Sequence, residues 1–187
     1  MSPLPTPETA RPTKTVSLEI PVFETARLTL REPRMTDVDP FAAFLASERS
    51  RFVGGPRTLA DSARALGHFA GLWLLRGYGP HVFCLKDGTP IGHGGPWFPR
   101  VWAEPEFGWC LWSAEHEGKG YVTEALRRLM DWSFSTLVLS TAVSYVDPDN
   151  LASVRVARAL GGVEDPGATP PDDDPVVIFR YRPEGVA

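Results

Sequence analysis

The sequence predicts a mixed α/β domain, a central and mostly antiparallel sheet flanked by about four helices, and three observations lead there. Phe107-Gly108-Trp109-Cys110-Leu111-Trp112 is an aromatic, strand-like run, and a loop with two glycines carries it into a helical pattern. In that pattern Leu126, Leu129, Met130, Ser133, Phe134 and Leu137 recur at the spacing of one helix face. Asp87-Gly88 is a hairpin signal between the strand-like 81–86 and the run that starts at Pro90, which makes those two neighbours antiparallel. The β-branched run from Val138 to Val146 leads through Asp149-Asn150, a helix-start pair, into a last helix closed by Gly161-Gly162. At 187 residues the chain is long enough for one well-filled core and short for two.

Taken in order, residues 1–22 carry Pro3, Pro5, Pro7, Pro12 and Pro21 with little apolar period, which predicts an extended, mobile arm ahead of a single domain over 23–187. Phe23 to Arg31 alternates as a first strand with Leu28 and Leu30 inward, and Pro33 ends it. Thr36-Asp37-Val38-Asp39-Pro40 has the chemistry of a capped helix start, and Phe41, Phe44 and Leu45 supply the apolar side. After a loop over 50–57, a second helix over about 60–76 places Leu66, Phe69, Ala70 and Trp73 on one face, with Gly77 set to end it. The strand over 81–86 follows. Gly92-His93-Gly94-Gly95-Pro96-Trp97 is rich in glycine for a strand, which predicts a bulge or a close approach. Residues 103–112 form the fourth strand and 138–146 the fifth, and 176–181 closes the sheet as an edge or penultimate strand. Asp172-Asp173-Asp174 reads as a solvated loop.

Composition excludes several classes. A net charge of −4 leaves no basic footprint for nucleic acid. No apolar stretch has the length of a membrane span, and the start lacks the charged-then-apolar layout of a secretory signal. Cys84 and Cys110 both lie in apolar runs, where a thiol behaves as a small buried hydrophobe. His68, His81, His93 and His116 show no ligand spacing, so no metal is expected. The expected compartment is the cytoplasm.

Strand, glycine loop, helix is a construction that takes an anion, because the glycine backbone approaches closely and the first helical turn offers unpaired N–H groups. A plain turn before a helix reads the same way. Other phosphate loops do not fit: the dinucleotide pattern needs glycine where Thr123 stands, and the P-loop needs Ser or Thr where Gly120 follows Lys119. His116-Glu117 opens like a zinc protease helix, but its second histidine position is Gly120.

The element order, with the loop Glu115-His116-Glu117-Gly118-Lys119-Gly120 and its continuation Tyr121-Val122-Thr123-Glu124-Ala125-Leu126, resembles the GNAT superfamily of acetyl-CoA-dependent N-acetyltransferases. Asn150-x-x-Ser153-x-Arg155 leading to Leu160-Gly161 resembles that family's second coenzyme-contacting helix start. Thr25-Ala26-Arg27-Leu28-x-Leu30-Arg31 resembles the branch that holds the ribosomal-protein N-terminal (alanine) acetyltransferases. The resemblance covers about residues 23–182 and implies a sheet splayed between its fourth and fifth strands. It implies coenzyme contacts from Glu117, Gly118, Lys119, Gly120, Tyr121 and Val122, from Asn150, Ser153 and Arg155, and from the backbone of Cys110, Leu111 and Trp112. A side chain at Gly120 would take the space a phosphate needs. Two positions depart from the family: Glu115 stands for the usual Gln or Arg, and Ala157 stands where many members carry a proton-donating tyrosine.

The function that follows is acetyl transfer from acetyl-CoA to a primary amine, small molecule or peptide, by direct attack in a ternary complex, with no metal. The alternative is an acyl-CoA sensor or scaffold without turnover. Glu106 is the expected base, with Glu104 and bulk water as competitors, because strand alternation sets Glu106 opposite Phe107, Trp109 and Leu111. His93, Trp97, Trp102 and Trp109 are expected around the acceptor or, equally, in the core. A monomer or homodimer is expected.

Overall fold

The computed structural model describes residues 18–173 and 175–183. Most of the expected arm, residues 1–17, and Asp174 of the acidic loop lie outside the described residues. The arm's last residues are held: Ile20 packs against the core, and the Pro21 carbonyl accepts from His81 at 3.0 Å.

The sheet has eight strands, β1 Phe23–Glu24, β2 Leu28–Arg31, β3 His81–Leu85, β4 Pro90–Trp97, β5 Glu106–Leu111, β6 Ala142–Val146, β7 Val163–Glu164 and β8 Val177–Tyr181, in the order β1-β2-β3-β4-β5-β6-β8-β7. Every pairing is antiparallel except β5 with β6, which are parallel and meet in register only at Glu106↔Val143. The expected splay is there.

Four helices cover the sheet: α1 Val38–Leu45, α2 Leu59–Arg76, α3 Tyr121–Ser135 and α4 Leu151–Ala159. Alternation along β3 sends Val82 and Cys84 into a cluster with Phe41, Phe44, Leu45 and Leu66 of α1 and α2. Phe83 between them joins Leu28, Leu30, Ile91 and α3's Ala125, Leu129 and Trp132. A third cluster, Phe107, Met130, Ala142, Val146, Ala157, Phe179 and Tyr181, seats α3 and α4 against the far strands.

Several expected elements are shorter, each for a local reason. The first strand breaks at Thr25-Ala26-Arg27, a tight turn in which Thr25 N–H donates to Leu28 O at 2.9 Å, so β1 and β2 are a hairpin. Asp37 does not cap α1. Its carboxylate turns back to accept from Arg34 N–H at 2.7 Å and from buried Arg31 at 2.7 and 2.8 Å. The fourth strand starts at Glu106 because residues 99–105 turn, with Trp102 N–H on Pro99 O, and Arg180 grips Glu104 at 2.5 and 2.9 Å. The fifth starts at Ala142 because Leu139 N–H folds back on Ser133 O to finish α3.

The glycines of β4 have a structural cause. A Cβ at Gly92 would stand 2.3 Å from Cys110 O, and one at Gly94 would stand 2.7 Å from Gly108 O and 2.8 Å from the Phe83 ring. What approaches β4 closely is therefore β5 and the core. β4 also carries a bulge beside them: Phe83 pairs with Gly92 and Cys84 with Pro90, which leaves Ile91 as the extra residue.

Candidate active site

Beyond Phe107 the strands β5 and β6 diverge and open a cleft of about 1410 Å³, floored by β4 and β5 and bounded by α1, α2, the loop before α3 and the start of α4. Its two ends differ in chemistry.

At one end lies the glycine loop. Ala114–His116 forms a short 3-10 turn, then Gly118 and Gly120 take left-handed φ of 69° and 77°. Gly120 is the N-cap of α3, and the helix's first bond runs from Glu124 N–H to Gly120 O at 3.0 Å. The N–H groups of Tyr121, Val122 and Thr123 thus lack a helical acceptor at a wall of the cleft, the arrangement an anion needs. The left-handed φ alone requires glycine at 118 and 120. Space does not: a Cβ at Gly120 would meet only Arg27 Nη2, at 3.5 Å. Across the cleft, Asn150 Oδ1 caps α4 by accepting Ser153 N–H at 3.1 Å, and Asn150, Ser153 and Arg155 all line the cavity.

Not every expected contact is brought together. Lys119 is exposed and outside the lining, with its carbonyl held by Arg27 Nη1 at 2.8 Å. Glu115 also faces out, beside Ser113 and His116, which removes the conflict of a carboxylate near an anion. Glu117 lines the cleft but is ion-paired to Arg49. On β5, Trp112 N–H donates to Ile91 O at 2.9 Å, and alternation turns the backbones of Cys110 and Trp112 toward β4. Trp109 and Leu111 face the open side instead. Leu111 O and Trp112 O already accept from Arg49, at 3.2 and 2.9 Å. Of the three residues expected to offer backbone to the coenzyme arm, Leu111 remains through its N–H, and Trp109 joins it.

The other end of the cleft is aromatic. His93 is buried among Phe41, Phe69 and Trp112, with ring centroids 5.2, 4.8 and 5.9 Å away. Its Nδ1 accepts the Trp112 indole N–H at 2.9 Å, so the ring proton sits on Nε2. Burial pulls its pKa down to about 3 and keeps it neutral. Trp97 lines the wall and donates to His68 Nε2 at 3.2 Å.

Glu106 projects from the same face of β5 as Cys110 and is 8% exposed. Burial raises its pKa to about 7, against the opposing pull of the Trp102 indole N–H, 2.6 Å from Oε2, and of the Tyr145 backbone. Trp102 is thus the partner of the candidate base and not part of the cleft lining. Glu104 is spent on Arg180 and held below the usual carboxylate range by that hydrogen bond. Cys110 lines the cleft as a thiol, pushed up to about 12 by burial and by the Glu106 charge. Tyr145 is a further lining residue; burial drives its phenol to about 12, and its hydroxyl is buried without a hydrogen-bond partner among the described residues. Ala157 is wholly buried in the third cluster, so α4 presents no proton donor there.

Three contacts have no signal in the sequence. Arg49 spans from the segment after α1 to the end of β5. Glu124 receives Thr25 Oγ1 at 2.7 Å and Arg27 N–H and Nε at 2.8 and 2.6 Å, which clasps the first hairpin to the glycine loop across 97 residues or more. Trp102 reaches Glu106 only because residues 99–105 turn. Among the described residues no group of three or more potential ligands is placed to hold a metal, and no helix is long and apolar enough to cross a membrane.

Comparison with known proteins points one way. The family described as an acetyltransferase (GNAT) domain matches residues 27–163. The crystal structure of an acetyltransferase from Agrobacterium tumefaciens is 38% identical, covers 91% of this chain and 99% of its own, and superposes with a TM-score of 0.83. Two more distant structures share the fold. A ribosomal-protein-S5-alanine acetyltransferase from Vibrio fischeri is 19% identical over 89% of this chain and 98% of its own, TM-score 0.65. The aminoglycoside acetyltransferase AAC(6')-Ib, solved with coenzyme A, is 22% identical over 83% and 94%, TM-score 0.69.

Proposed function

The chain belongs to the GNAT acetyltransferase family, and from that premise we propose that it transfers the acetyl group of acetyl-CoA to a primary amine by direct attack within a ternary complex. The observation that carries the reading is one cleft with an anion-binding helix start at one end and a buried carboxyl of pKa about 7 at the other.

Acetyl-CoA supplies an activated acetyl group. The residues that fit it are Gly118, Gly120, Tyr121 and Val122 for its phosphates, with Asn150, Ser153 and Arg155 opposite and the free backbone edge of Trp109 and Leu111 between. That edge is an unpaired strand side, suited to an amide-bearing arm. The acceptor amine enters from the α1–α2 side as an ammonium, and its proton must go before it can attack. Glu106 takes it: a carboxylate with pKa near neutrality is still a base at pH 7 and above, and Trp102 fixes its orientation. Cys110, the thiol within the cleft, keeps its proton, which favours direct transfer over an acyl-enzyme.

Glu106→Gln keeps the Trp102 acceptor and removes the base. We expect kcat to fall on the order of 100-fold, with loss of the acidic limb near pH 7. Unchanged kcat and an unchanged limb would assign the proton to water. The binding-only reading draws on Ala157, which leaves α4 without a donor for the departing thiolate. Amine-dependent release of free coenzyme A thiol decides between the two.

A further inference from the structure

We propose that the acceptor is an aromatic or apolar primary amine whose far end carries an anionic group, a carboxylate or a phosphate. This rests on the acetyl-transfer reading above and narrows its acceptor.

The acceptor half of the cleft is graded in charge. Its inner end holds one group that can be charged near pH 7, Glu106, beside the protonated Cys110 thiol and Tyr145 phenol. Its walls include Phe41, Phe69, His93 and Trp97, uncharged because burial keeps His93 neutral. The cleft's exposed rim carries Arg51 on the 3-10 segment Glu48–Val53, Arg57 in the loop after it and Arg64 on α2, one turn before the His68 that Trp97 meets. Arg64 is answered by Asp61 at 2.7 Å. Arg51 and Arg57 are not answered by a carboxylate among the described residues. Arg57 donates to Gly54 O and Val53 O at 3.0 and 3.3 Å, and Arg51 lies over the Phe52 ring at 4.2 Å. Carbonyls and a ring orient a guanidinium without cancelling its charge. An amine with several ammonium groups therefore meets the like charge of Arg51 and Arg57 at the entrance, where Asp61 is already paired, and Glu106 as the buried carboxyl inside. An amine with a single ammonium, an aromatic middle and a distal anion matches all three zones.

The test uses three matched acceptors, 4-(2-aminoethyl)benzoate, its carboxamide and its aminomethyl analogue, beside spermidine and kanamycin, with acetyl-CoA and thiol release as the readout. The expected order of kcat/KM is carboxylate, carboxamide, aminomethyl, with the first ahead of the last by about fivefold or more at low salt and the gap closing as salt rises. Joint Arg51→Gln and Arg57→Gln should bring carboxylate and carboxamide to within about twofold of each other, while Arg57→Lys, which keeps the charge, preserves the order. The inference is overturned if the aminomethyl compound, spermidine or kanamycin is preferred. It is equally overturned if the double variant keeps the carboxylate preference and instead raises the KM for acetyl-CoA, which would give the two arginines to the coenzyme phosphates. Absence of thiol release with every amine overturns the transfer reading itself.

Discussion

At the scale of single residues, two side chains combine a structural hydrogen bond with a place in the cleft wall. Asn150 caps α4 through Oδ1, and its residue also lines the cleft. Serine caps about as well, so Asn150→Ser should change stability by only a few tenths of a kcal/mol. If the amide also holds the coenzyme, the same variant raises the KM for acetyl-CoA severalfold; equal KM values in steady-state assays leave the cap alone. Glu106 was legible in the sequence as a carboxylate on the face opposite Phe107, Trp109 and Leu111. Its partner was not, since Trp102 comes within reach only after the 99–105 turn folds. For Lys119 and Glu115 the residue types leave the direction open; both face away from the cleft, Lys119 between the two left-handed glycines and Glu115 on the 3-10 turn before them.

At the scale of elements, the clasp between the first hairpin and α3 also reaches the glycine loop. Burial pushes the Glu124 pKa up, but hydrogen bonds from Thr25 and Arg27 outweigh it and keep the carboxylate charged. Arg27 is 46% exposed, so its ion pair contributes at most about 1 kcal/mol. The larger effect is positional, through Nη1 on Lys119 O. Arg27→Ala should raise the KM for acetyl-CoA severalfold with kcat nearly unchanged, the signature of lost uniform binding. Arg27→Lys, which keeps the charge but not the fork, should recover part of it. A fall in kcat at constant KM would place Arg27 in the chemistry. The helices and most strands were legible because their apolar periods coincide with their buried faces: Leu66 and Trp73 of α2, Leu126 and Leu129 of α3, and Leu28 and Leu30 of β2 are all buried. The ends misread where a tertiary hydrogen bond outcompeted a local one, as when Asp37 chose Arg31 over the start of α1.

At the scale of the whole molecule, three buried groups set the response to acid. Burial lowers His81 to about 4 and His93 to about 3, and raises Glu106 to about 7. Depressed imidazoles give stability that is present above their unfolded pKa near 6.5 and drains away as pH falls. The raised carboxyl works in the opposite sense, giving stability below its unfolded pKa that is lost as pH rises through 7. Between pH 6 and 5 the unfolded chain thus binds two more protons at the histidines and one fewer at Glu106. The net of about one proton costs about 1.4 kcal/mol per pH unit on acidification. Glu106→Gln should roughly double that slope in urea titrations, and equal slopes would show that Glu106 is not perturbed. The single register pair between β5 and β6 has a consequence of a different kind. The sheet is two half-sheets sharing one rung, and the chain crosses between them once, through residues 136–141. Cut there, the two pieces would meet along the third cluster, the α3–α4 packing and the cleft, so whatever fills the cleft would strengthen that seam, and reassembly of the halves would report on it.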